Sequence, residues 1–101
     1  MLLNEDRLLS LRAEIGEDGY EEVVALFLAE SDEVIARLSG AGAAVPPRAE
    51  LHFLKGVALN LGFDDLAEMC RKGERGEGYD AQALARLYAE TRAALEGFVP
   101  A

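Results

Sequence analysis

The sequence predicts an all-α protein, an antiparallel up-and-down four-helix bundle with a short extra helix at the N-terminus. Three observations lead there. Only three of its 101 residues are proline. No stretch alternates apolar and polar side chains as a half-buried strand would, whereas apolar residues recur at helical spacing along most of the chain. The breaks between periodic segments are short, which makes neighbouring helices antiparallel. A chain of 101 residues is enough for one modest core, so residues 1–101 read as a single domain.

The first helix is expected from about Asn4 to Ile15. Asn4 can cap it, Glu5 and Asp6 suit the positive end of the helix dipole, and Leu8, Leu11 and Ile15 form its apolar line. Gly16 to Gly19 reads as a break. Asp18 followed by Glu21 resembles a capping box opening a long second helix over about 19–39. Tyr20, Val24, Phe27, Ser31, Val34 and Leu38 lie along one side of it, and Ser39-Gly40-Ala41-Gly42 ends it.

Pro46-Pro47 fits the first turn of a third helix, where a missing N–H costs nothing. That helix runs to about Leu61, with Gly62 placed to terminate it. A fourth helix starts near Asp64 and turns Leu66, Met69 and Cys70 inward. Gly73, Gly76 and Gly78 read as a loose connection, Asp80 as the cap of the last helix, and Leu84, Tyr88, Thr91 and Leu95 as its buried stripe. Pro100 falls past the end.

Half the residues are apolar, so the chain should fold. No run approaches the roughly 18 apolar residues that a membrane helix needs. The start, Met-Leu-Leu-Asn-Glu-Asp, shows no basic region leading into an apolar stretch, and the single cysteine, Cys70, suits a reducing compartment. A cytoplasmic, free-standing monomer is the expectation. The net charge of −9 argues against nucleic acid and anionic membranes as partners, because both need excess Lys and Arg. The charge is uneven: residues 1–50 hold 11 acids and 4 bases, while residues 48–75 hold five of each sign. The neutral stretch contains the only histidine, His52.

On a helical wheel of about 100° per residue, Leu51, Leu54, Ala58 and Leu61 fall in one sector, the core stripe. His52 lies roughly 140° from the centre of that sector, facing solvent or a partner. Arg48, Lys55, Gly56 and Leu59 surround it at i−4, i+3, i+4 and i+7. Gly56 removes bulk beside the ring, Lys55 can bring an ammonium to it, and Leu59 is apolar on a face that should be polar. A neutral imidazole is a good nucleophile near neutral pH, and phosphoryl transfer needs in-line approach and positive charge more than elaborate machinery. There is no glycine-rich phosphate loop for ATP and no second His or Cys/His cluster for a metal. The chain could carry a phosphoryl group but not take one from ATP unaided.

The segment His52-Phe53-Leu54-Lys55-Gly56, followed by Leu61-Gly62, Leu66-Ala67 and Cys70, resembles the signature of histidine phosphotransfer (HPt) domains of two-component phosphorelays. Phe27-Leu28 and Ser31 resemble the family's second helix more weakly. The resemblance implies that His52 is the phosphoacceptor through Nε2, that Lys55 stabilises the phosphoryl group and that Gly56 clears room for the partner. It implies response-regulator receiver domains as partners, and a hybrid histidine kinase as a further one. The receiver would supply most catalytic groups and the Mg²⁺, with no cofactor bound by this chain, a phosphocarrier rather than an enzyme. Arg48, Phe53 and Leu59 are candidate partner-binding residues.

Leu51, Phe53 and Val57 depart from the small or polar residues common at their positions in the family. Leu51 falls on the inner stripe, and Phe53 is open to partner choice or to flank packing. A second function remains in view: a helical interaction module that docks a signalling partner through the same face without carrying phosphate. Cys70, Phe27, Tyr20 and Tyr88 are read as core, residues 17–22 as a solvated acidic helix start, and residues 73–78 as a flexible loop.

Overall fold

The computed structural model describes residues 1–40 and 47–98. Among them run four helices and no strand: α1 (Glu5–Gly40), α2 (Arg48–Leu61), α3 (Asp64–Glu74) and α4 (Ala81–Glu96). Helix α1 packs on α2, α2 on α3, α3 on α4, and α4 back on α1, the closed ring of an up-and-down bundle. Ala41 and Gly42, expected to end the second helix, Pro46, expected in the first turn of the third, and Pro100, expected past the end of the last, lie outside the described residues. No described helix is long and apolar enough to cross a membrane.

Asn4 opens α1 as its residue type predicts: its Oδ1 accepts from the Arg7 N–H at 3.2 Å, with Glu5 and Asp6 in the first turn. The expected break over Gly16–Gly19 narrows to one residue. Gly16 has φ 80° and ψ 165°, a conformation that glycine adopts without a Cβ penalty, and helix resumes at once. Asp18 therefore lies inside the helical run and does not cap it. Ile15, the last residue before the kink, is 40% exposed, whereas Leu8 and Leu11 of the same apolar line are buried. Beyond the kink, Ser31, Val34 and Leu38 are buried, while Tyr20, Val24 and Phe27 pack half-buried against the core.

Helix α2 begins at Arg48, so Pro47 precedes the helix and is not part of its first turn. The Pro47 carbonyl accepts from the Leu51 N–H at 3.0 Å. Gly62 ends α2 with φ 74°, its N–H donating to the Ala58 carbonyl. The N-terminal segment clamps that end: the Asn4 N–H donates to the Gly62 carbonyl at 2.6 Å, and Arg7 Nε donates to the Asn60 carbonyl at 2.9 Å.

In α3, Leu66, Ala67 and Cys70 are buried, and Met69 is half-buried. The helix continues through Gly73 to Glu74, so Gly73 is a buried helical residue rather than part of a loose connection. The turn is left to Gly76 and Gly78. Asp80 caps α4 as expected, accepting from the N–H groups of Gln82 at 2.9 Å and Ala83 at 3.2 Å. Leu84, Tyr88, Thr91 and Leu95 are its buried stripe. Tyr88 ties α4 to α1, its hydroxyl donating to Asp32 Oδ1 at 2.5 Å.

Candidate functional site

Leu51, Leu54, Val57, Ala58 and Leu61 turn one side of α2 into the core, and this fixes what the other side presents. The His52 side chain stands outward, 76% exposed. Gly56 is exposed one turn on, and an added Cβ there would meet nothing within 4 Å, so the space beside the ring is open. Leu59 is 61% exposed another turn along. With Lys55, Ala67 and Arg71 it lines a shallow groove of about 290 Å³ between α2 and α3. Arg48 is exposed at the start of the helix.

Phe53 goes a different way. It is half-buried, packs against the core, and borders a groove of about 330 Å³ between α1 and α2 with Val34, Arg37 and Glu50. Packing against the core covers part of its ring, and the rest is open to another molecule.

The residue that organises the site is Glu74, the last of α3. Its Oε1 lies 2.8 Å from His52 Nδ1, and its Oε2 accepts from Lys55 Nζ at 2.6 Å. One carboxylate thus gathers His52 and Lys55, two of the three residues the sequence assigns to the chemistry. The Lys55 ammonium, and then the His52 ring, hold the Glu74 carboxyl below the usual glutamate range against the opposing effect of desolvation. Ionised, Glu74 can only accept, so in this contact Nδ1 carries the hydrogen and donates it. The lone pair of the neutral ring is then on Nε2, the nitrogen left free by the contact. The arrangement presents a nucleophilic nitrogen of defined tautomer, with an ammonium one helical turn away.

Glu74 did not emerge from the sequence because Gly73, Gly76 and Gly78 read together as a loop. A signal was present: extending α3 by one turn puts Glu74 at i+4 from Cys70 and i+7 from Ala67, an acid on the inward stripe. Cys70 lies beneath the site. Its thiol is fully buried, and burial, reinforced by the Glu74 charge, pushes its pKa up to about 12, so it stays neutral.

A family model described as Hpt domain matches residues 22–98 of the chain. No curated protein and no solved structure matches it.

Proposed function

The chain belongs to the Hpt domain family, phosphocarriers of two-component phosphorelays, and we propose that His52 accepts a phosphoryl group from a receiver-domain aspartate and passes it to another receiver. The observation that carries this proposal is the 2.8 Å contact between Glu74 and His52 Nδ1, which leaves Nε2 exposed with its lone pair free.

The step needs little else from this chain. The Nε2 lone pair attacks phosphorus in line, an N–P bond forms, and the bond from phosphorus to the aspartyl oxygen breaks, returning the receiver carboxylate. Positive charge develops on the ring as the bond forms, and Glu74 stabilises it through the Nδ1–H. In reverse, the proton held on Nδ1 allows the ring to leave as neutral imidazole. Lys55, held by the same carboxylate as the ring, offsets phosphoryl charge, and the missing side chain at Gly56 admits the partner. Mg²⁺ is expected on the receiver. Leu59, Arg48 and the open part of Phe53 frame the acceptor as the docking surface. A cytoplasmic monomer, serving receivers and a hybrid kinase, completes the proposal.

Incubation with a receiver phosphorylated by acetyl phosphate, with His52→Gln as control, tests it. Acid-labile, base-stable label on the wild-type chain and none on His52→Gln is the expected result. Absence of label from every receiver of the source genome would overturn it.

A further inference from the structure

Leu51 and His52 are neighbours on α2, and Gly73 and Glu74 are neighbours on α3. The second members of the two pairs meet at 2.8 Å. The first members meet directly beneath them. A Cβ built on Gly73 would lie 2.8 Å from Leu51 Cδ1 and 3.5 Å from Tyr79 Cδ1. Contacts that close are not tolerated, so something would have to shift. Gly73 is not one of the glycines with positive φ, so its backbone conformation does not demand glycine. It sits inside a helix, where Ala is the better former. What remains to explain the glycine is space.

Leu51 has no exposed surface, but it borders a cavity of about 340 Å³ that Tyr79 and Leu84 also line, so the tip of its side chain takes up part of the displacement. The rest falls on the end of α3, where the helix stops one residue later and the Gly76 and Gly78 turn follows.

We infer that Gly73 is a positioning residue for the phosphoacceptor: its missing Cβ seats the last turn of α3 against Leu51, so that Glu74 reaches His52 Nδ1. The inference rests on His52 being the acceptor only for its consequence in transfer, not for the geometry itself. A methyl group on Gly73 moves Glu74 away from α2. Lys55, on a long flexible stem, follows the carboxylate; the imidazole, on a short one, does not. Nδ1 then loses its enforced hydrogen, and the free ring divides between its two tautomers.

The test is Gly73→Ala, Leu51→Val and the double variant in the full chain. Nitrogen NMR reads the His52 tautomer, and phosphoryl uptake from a phosphorylated receiver reads the rate. Wild type and Leu51→Val should hold the hydrogen on Nδ1. Gly73→Ala should give a tautomer mixture and a roughly tenfold slower uptake, as for other residues that orient a reacting group. The double variant, with the leucine shortened where the methyl lands, should regain the wild-type tautomer and rate. A cooperatively folded Gly73→Ala chain with wild-type tautomer and rate overturns the inference, as does a double variant that regains neither. If Gly73→Ala does not fold, the double variant decides: folded with Nδ1–H it supports the inference, and unfolded it ends it. A tautomer change in a chain whose wild type never takes up label would sink the carrier function and leave the steric relationship standing.

Discussion

Glu74 Oε1 lies 2.8 Å from His52 Nδ1, joining the end of α3 to the exposed face of α2, and this one contact decides which nitrogen of the ring is free to react. The same carboxylate holds Lys55 through its other oxygen at 2.6 Å. The His52 ring, its tautomer and the nearby cation are therefore one unit.

Glu74→Gln is predicted to slow phosphoryl uptake by roughly tenfold or more, the usual loss when a group that orients a reacting side chain is removed. A neutral amide can accept through its oxygen or donate through its nitrogen, so it no longer dictates the tautomer of His52. Rapid-quench labelling from a phosphorylated receiver measures the rate. Wild-type uptake by the variant would remove Glu74 from the mechanism.

Glu74 also makes stability depend on pH. Its pKa is lowered in the folded chain, by Lys55 first and His52 second. A carboxylate with a depressed folded-state pKa binds fewer protons folded than unfolded. Its stabilisation is complete above the ordinary glutamate pKa and is lost as pH falls through the lower folded value. The Tm difference between wild type and Glu74→Gln should thus be constant near neutrality and shrink in the acid range. Melting curves from neutral to strongly acid pH measure it, and a difference unchanged throughout would contradict the coupling to Lys55 and His52.

Local and long-range features were not equally legible in the sequence. Leu51, Leu54, Ala58 and Leu61 show themselves as core because burial imposes a helical period on neighbouring residues. Asn4 and Asp80 show themselves as caps because a side-chain oxygen reaches N–H groups only two or three residues on. The face holding His52, Gly56 and Leu59 follows from the same wheel. Glu74 depends instead on where α3 stops and how closely it lies on α2, and the run of glycines hid its last turn. Gly73 shows the same blindness from the other side: in sequence it is a helix breaker, and in space it is a close packing contact. Ile15 was misplaced because a helical period shows which residues share a face, not how far along the helix that face stays covered.

Gly62 ties the bundle together behind the site. It has φ 74°, and a Cβ there would stand 2.8 Å from the Asn4 carbonyl oxygen and 2.9 Å from Arg7 Cβ. Gly62→Ala is predicted to cost at least about 2 kcal/mol, from left-handed backbone strain plus displacement of the N-terminal clamp. The clash is with backbone on one side, which cannot simply rotate away. Urea unfolding should show a lower midpoint. A loss under about 0.5 kcal/mol, the range of ordinary surface changes, would mean that the clamp does not hold in solution.

Leu59 and Phe53 separate docking from packing. Leu59 is 61% exposed, so Leu59→Ala removes little from the core, and stability should stay within about 0.5 kcal/mol of wild type. If Leu59 is a central contact for a receiver, its truncation should weaken binding by about tenfold, equivalent to about 1.4 kcal/mol. Phe53 packs against the core, so Phe53→Ala should destabilise the bundle by about 1–3 kcal/mol through lost burial, whatever it does to binding. Calorimetric titration with a cognate receiver, paired with thermal melts of each variant, reads the two effects separately. Leu59→Ala binding at wild-type strength would move the docking surface away from the α2–α3 groove. A Phe53→Ala chain as stable as wild type would return Phe53 to the partner.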